Sequence, residues 1–280
     1  MCSLRFLVRS SFKKPKMPSL VDRLRPLQFR GKRRLLGPLA PNAGKKVAKI
    51  FGADLELDVS NHIDSTIFMG CYEPVNTFLF KRILRRGGTA VDVGANIGYF
   101  TLLAASLVGE TGRVIAAEAH PRNFEILSSA VERNGLKQVR AVNVGLSDQN
   151  GTGQILMADQ KEYANRTASL VPQSGLTGPA IPLRTLNDCL DEWDIGVVDL
   201  LKIDVDGFET KVVRGGMKAL AQGRVRNVIV EFDESWLKAS GSSVEELSAL
   251  LRSAGFRHVP HPILSVLMGP SGDRHFTRAK

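Results

Sequence analysis

Cysteine is scarce in this chain of 280 residues: Cys2, Cys71 and Cys189 stand far apart, and no C-x-x-C pair occurs. An odd number at such spacing excludes a disulfide framework and a thiolate zinc site, and it fits a reducing, cytoplasmic setting. Long apolar runs are missing as well. No stretch nears the roughly 18 residues that a spanning helix needs. Arg5 and Arg9 interrupt the opening "MCSLRFLVRSSFKK", so neither a membrane span nor a cleaved secretory signal is expected. Acids are nearly absent from the first 50 residues, where Asp22 alone faces 14 Lys and Arg. The remaining residues carry 24 Lys and Arg against 27 Asp and Glu. The net charge of +10 therefore belongs to an appendage, and no nucleic-acid partner is predicted for the body.

That appendage, residues 1–50, is proline-punctuated and basic, with "KKPKMP" and "RGKRRLLGPLAPNAGKK". Its composition predicts disorder. Peripheral contact with anionic membrane through "LVDRLRPLQF" and a transit-peptide role both stay open. Residues 51–88 form an N-terminal extension: "ADLELDVS" alternates as a strand, "TIFMG" offers it a pairing partner, and "YEPVNTFLFKRILRRGG" reads as a helix that starts at Pro74 and stops at Gly87 and Gly88. Residues 89–270 make up the main domain, and 271–280 a C-terminal tail. Within the domain strands alternate with helices, from "TAVDVG" and "IGYFTLLAASLVG" through "RVIAAEA", "VVDLLKIDV" and "VRNVIVEF" to "VEELSALLRSAG". Such alternation predicts an α/β fold with a mostly parallel sheet, whose ligands lie past the carboxyl ends of the strands.

Four of those strand ends close in acids: Asp92 before Gly94, Glu118, Asp204 with Asp206, and Glu231 with Asp233. They are expected to line one crevice. In "TAVDVGANIGYFTLLAA", Gly94 permits a tight turn and Gly98 a close helix approach. The dinucleotide fingerprint also wants a middle glycine, where the pyrophosphate meets backbone. Asn96 stands there instead, which disfavours a nucleotide-dependent oxidoreductase. Glu118 still suits the vicinal hydroxyls of a ribose. A nucleoside without pyrophosphate, such as S-adenosylmethionine, fits both observations.

"DVGANIGYFTLLAA", "GRVIAAEAHPRNFEIL", "NVGLSDQNG" and "LLKIDVDGFETKVVRGG" together resemble the FkbM family of S-adenosylmethionine-dependent methyltransferases over roughly residues 65–260. The resemblance implies a Rossmann-like class I methyltransferase fold, with a seven-stranded, mostly parallel sheet and a reversed last strand. It implies methyl transfer to oxygen, with sugar or polyketide-type hydroxyl compounds as acceptors. It also implies that Asp92, Gly94, Asn96, Gly98, Glu118, Ser147 and Asp148 hold the donor. Two departures from the family pattern stand out: Ala119 follows Glu118 where proline is usual, and Asp206 occupies the place of a glutamate.

An alcohol is a poor nucleophile at neutral pH, so its proton must go to a placed base or be displaced by a metal. Asp204 is the candidate base. With Glu231 and Asp233 it is also a candidate ligand set for a hard cation such as Mg2+. The competing structural role for "DVDGFE" is a helix start, with Asp206 and Glu209 against the dipole. His120 is expected at the surface, His258 and His261 in a C-terminal hairpin, and Trp193 and Trp236 in the core; Tyr163 is a stacking candidate. The polar segment 159–180 is long enough for a lid. A non-catalytic module that retains donor binding is the remaining alternative.

Overall fold

A computed structural model describes residues 44–155, 179–268 and 272–279. Most of the basic appendage, Tyr163 and nearly all of the segment 159–180 lie outside them. The chain begins with a hairpin, β1 (Lys45–Ile50) and β2 (Ala53–Asp58), followed by α1 (His62–Phe68) and α2 (Pro74–Ile83). Then come β3 (Thr89–Val93), α3 (Tyr99–Val108), β4 (Arg113–Ala117), α4 (Pro121–Arg133), β5 (Val139–Val142), β6 (Gly145–Ser147), β7 (Gly151–Gln154), β8 (Ala180–Thr185) and α5 (Leu186–Glu192). The last third holds β9 (Leu200–Ile203), α6 (Glu209–Ala221), β10 (Asn227–Glu231), α7 (Glu234–Ala239), α8 (Val244–Ser253), β11 (Phe256–Val259), α9 (Pro262–Met268) and β12 (Asp273–Arg278).

Seven strands form the main sheet in the order β5-β4-β3-β9-β10-β12-β11. Pairing is parallel from β5 to β10, while β12 runs antiparallel to both β10 and β11. The chain winds outward from β3 to β5 and then restarts at β9 beside β3. That reversal opens a crevice between their carboxyl ends. The sheet is buried on both faces: one apolar cluster joins Val91, Leu201, Val213 and Leu251, and the other joins Ile50, Leu79, Phe100, Leu102 and Leu200. A small sheet, β6-β8-β7, flanks the undescribed segment.

Three expectations change here. "TIFMG" is not a strand, because Asn61 caps a helix by accepting from the Ile63 and Asp64 amides and the buried Asp64 accepts from the Asp58 amide. Residues 45–50 are a strand rather than tail: the lysines of "KKVAKI" stay exposed while Ala48 and Ile50 enter the core. Residues 273–278 are likewise no tail. In "DRHFTR" Phe276 packs into one cluster and His275 onto the other face, so a charged-looking segment is a paired strand inside the sheet. The extension 51–88 shares its core with α3 and β3.

Candidate active site

The crevice is lined by Asp92, Glu118, Asp204, Asp206 and Glu231, the acids expected at the strand ends, with the single exception of Asp233. Gly94 follows β3 at φ 78°, and a Cβ there would come within 1.8 Å of the Asp204 carbonyl oxygen. The residue is thus demanded by the close approach of the two central strand ends. Asn96 adopts the left-handed conformation at φ 52°, which asparagine tolerates, and so makes the turn without a middle glycine. Its amide donates to Glu118 Oε2 at 2.7 Å, and the His120 amide donates to Glu118 Oε1 at 2.8 Å. One carboxylate therefore ties the loops after β3 and β4 together. Burial raises the Glu118 carboxyl to about 7, against those two amides. Asp92 is fully buried; Thr101 donates to its Oδ2 at 2.7 Å, while Oδ1 has no hydrogen-bond partner. Burial raises it above the ordinary carboxylate range, although Lys202 and Thr101 pull it down.

Gly98, at φ 99°, faces Leu127 of α4 and does not line the crevice. Its role is helix packing. The segment after β5 lines the crevice with Val144, Gly145 and Leu146, not with Ser147 and Asp148. The Ser147 hydroxyl donates to Asp148 Oδ1 at 3.1 Å, and the Ser147 carbonyl lies against Gly215 of α6. His120 is buried and caps α4 by accepting from the Arg122 amide, which corrects its surface assignment. Trp193 is core.

The other end of the crevice centres on a residue that the sequence reading overlooked. Lys202 lies in β9, only 2% exposed, with Nζ 2.6 Å from Asp204 Oδ2 and 4.8 Å from the centre of the Phe100 ring. Burial opposes its charge, but Asp204, Glu73, Asp273 and Asp92 outweigh burial and hold the ammonium above its ordinary value. A lysine inside the apolar run "LLKIDV" is the signal that could have found it. Glu73 also lines the crevice. It sits at φ 36°, a strained conformation for a residue with a side chain, and burial raises its carboxyl to about 7. Asn76 donates to Glu73 Oε2 and to Asp273 Oδ2, each at 2.6 Å, joining α2 to β12. Glu231 is pushed up to about 10 by burial and then by Asp204, Glu209 and Asp206, and its Oε2 is buried with no hydrogen-bond partner.

The trio proposed for a metal does not converge. Asp233 caps α7, accepting from the Ser235 and Trp236 amides, and Asp204 is committed to Lys202. Among the described residues no group of three His, Cys, Asp or Glu side chains is placed to hold an ion. Nor does Asp206 cap α6. Glu209 fills that region, accepting from the Val205 and Gly207 amides at 3.0 and 3.2 Å.

Sheet order, reversed strand and switch-point crevice define a Rossmann-like, class I methyltransferase fold. Residues 92–258 match the methyltransferase FkbM domain, and the chain belongs to that family of S-adenosylmethionine-dependent methyltransferases. It is 31% identical to methyltransferase sdnD of Sordaria araneosa over 194 residues, covering 59% of this chain and 72% of that protein. It is 27% identical to the AMB antimetabolite synthetase AmbE of Pseudomonas aeruginosa over 208 residues, covering 62% of this chain and 10% of that one. A crystal structure of methyltransferase FkbM from Methylobacillus flagellatus superposes with TM-score 0.46 at 12% identity, over 76% of this chain and 54% of that chain. Fibrillarin of Aeropyrum pernix, with natively bound S-adenosyl-L-methionine, superposes with TM-score 0.44 at 13% identity, over 85% of each chain.

The crevice suits the donor that such an enzyme requires. Asp92 Oδ1 is a buried acceptor without a partner, suited to an ammonium group. Glu118 keeps lone pairs for hydroxyls at the end of β4, and the acids around the crevice outnumber its one buried lysine, which favours a cation.

Proposed function

We propose that this chain methylates a hydroxyl oxygen of a small acceptor of sugar or polyketide type. S-adenosylmethionine, when bound, supplies an activated methyl group on a sulfonium. Glu118 would hold its ribose, Asp92 its ammonium group, and the turn Gly94–Asn96 its amino-acid portion. Beyond the donor, the crevice presents carboxyl groups from three places: Glu73 at the start of α2, Asp204 and Asp206 after β9, and Glu231 at the end of β10. A ligand that carries several O–H donors complements such a wall. The observation that carries the reading is Asp204. Lys202 occupies its Oδ2 at 2.6 Å, which leaves Oδ1 to accept the acceptor's proton as the new C–O bond forms and the C–S bond breaks. The products are a methyl ether and S-adenosylhomocysteine. Neither Asp204 nor Glu231 need ligate a metal for this.

The test is a donor-consumption screen over glycosides, lipid-linked sugars and polyketides, with and without EDTA, after titration with S-adenosylhomocysteine and with NAD. Binding of S-adenosylhomocysteine but not NAD, and methyl ether formation that EDTA leaves unchanged, are expected. Donor binding with no turnover across the panel would favour the non-catalytic module.

A further inference from the structure

Among the described residues five large apolar side chains are exposed, and four belong to the outer elements of one sheet face: Val47 (59%), Phe78 (38%), Ile263 (72%) and Val266 (66%). They sit on β1, α2 and α9. All three elements send other residues into the same apolar cluster, Ala48 and Ile50 from β1, Leu79 and Phe80 from α2, and Leu264 from α9. α9 packs against α2. At 3.6 residues per turn, Phe78, Lys81 and Arg82 fall within one arc of α2, on the side away from the buried Asn76 and Phe80, and all three are exposed, as is Arg85 just past the helix end, whose guanidinium donates to the Lys81 and Leu84 carbonyls. Lys81 reaches toward Phe51 in the β1–β2 turn, so the hairpin adjoins this arc. No acid occurs between Glu73 and Asp92. On β1, Lys45 and Lys49 flank Val47 on the outward side, where they pair with Glu56 and Asp54 of β2.

We propose that this face, made of the hairpin, α2 and α9, docks on an anionic membrane surface. Its apolar side chains enter the headgroup boundary while Lys81, Arg82 and Arg85 meet lipid phosphates and carboxylates. Charge selects the occupant: Glu56 and Asp54 neutralise the hairpin's Lys45 and Lys49, but residues 74–91 bring Lys81, Arg82, Arg85 and Arg86 with no acid, and this excess of cations complements an anionic layer and repels an identical copy of itself. The basic residues 1–43 join the hairpin at Gly44, so they would add long-range attraction at the place where the folded face inserts. α2 begins beside Glu73 in the crevice wall, so docking face and crevice share a helix.

Flotation of the full chain with phosphatidylcholine vesicles, with and without phosphatidylserine, tests this. Binding that requires phosphatidylserine and weakens with salt is expected. The double variants Ile263→Glu/Val266→Glu and Lys81→Glu/Arg85→Glu should each weaken it at least about tenfold, on the scale of about 1 kcal/mol per basic residue at such a surface. Their affinity for S-adenosylhomocysteine should equal that of the parent, which keeps this result separate from the donor site. Substituting Arg30, Lys32, Arg33 and Arg34 by glutamine should weaken binding without abolishing it. The proposal fails if the parent ignores phosphatidylserine, or if both face variants bind like the parent while the glutamine variant does not bind. It also fails if light scattering finds a dimer that Ile263→Glu/Val266→Glu dissociates with vesicle binding unchanged.

Discussion

The donor and acceptor ends of the crevice are both acidic, but they are built differently. At the donor end backbone amides satisfy the carboxylate: Glu118 takes those of Asn96 and His120, which lie 22 and 2 residues away. At the acceptor end side chains answer one another. Lys202 sits among Asp204, Glu73 and Asp273, and Asn76 spans 197 residues to reach Asp273. A site satisfied by backbone survives substitution of a neighbour because the amides stay in place. A site satisfied by opposed buried charges does not, since removing one leaves the others unpaired.

The largest effect is therefore expected at Lys202. Lys202→Met removes the one cation shared by four carboxylates, and breaking a buried pair in this way costs about 3–5 kcal/mol. Thermal and urea unfolding should register it. Adding Asp204→Asn to Lys202→Met should recover part of the loss, since the pair is then removed together. A strictly additive double variant would mean that Lys202 answers the other acids and not Asp204.

Next in size is Asp204→Asn alone. It keeps the shape but cannot accept a proton, so turnover should fall by roughly 100-fold or more, the scale of general-base catalysis. Affinity for S-adenosylhomocysteine should stay within about twofold, because the donor contacts are assigned to other strand ends. Full turnover would move the base elsewhere.

The asymmetry also explains what could be read in advance. Asp92, Gly94, Asn96 and Glu118 stand within one strand-turn-helix-strand unit, where local pattern and the rule for parallel sheets fix their place. Asp204 and Glu231 follow from the same rule. Glu73 and Asp273 do not, since one precedes a helix in the extension and the other opens a strand whose apolar content is a single phenylalanine among charges. Lys202 was visible as an anomaly in a buried strand, but its partners depend on which strands become neighbours. Asp233 looked like a companion of Glu231 because the residues are two apart. A strand end turning into a helix sends them different ways, one into the crevice and one onto the cap.

A smaller effect separates the ends through pH. The Glu118 carboxyl is raised from 4.5 to about 7 in the folded protein. Between those values the folded state holds a proton that the unfolded chain has released. The stability from that proton is complete below about 4.5 and is lost as pH rises through about 7. Glu118→Gln should remove this dependence, on the order of 2 kcal/mol between pH 5 and 8. The same variant should weaken S-adenosylhomocysteine binding by about 10- to 100-fold, the worth of a charge-assisted hydrogen bond. Parallel stability profiles for parent and variant would show that Glu118 is exposed or already ionised.

The smallest effect sharpens the boundary of the acceptor end. Asp233 accepts from the Ser235 and Trp236 amides at 2.8 and 3.1 Å and lies outside the crevice, so it is a helix cap. Its carboxyl is held below the ordinary value by the Ser235 hydroxyl and the Trp236 amide. Asp233→Ala should then cost about 1 kcal/mol of stability, the usual worth of a cap, while turnover and donor affinity stay at the parent's level. Asp233→Asn and Asp233→Ser, which can also cap, should restore most of the stability. A cation site would behave in the opposite way, for asparagine and serine would lose the charge that a hard ion needs, and turnover would fall with all three substitutions and respond to added Mg2+. The cap and the metal ligand thus predict different rank orders for the same three variants, and a melting curve beside a turnover assay tells them apart.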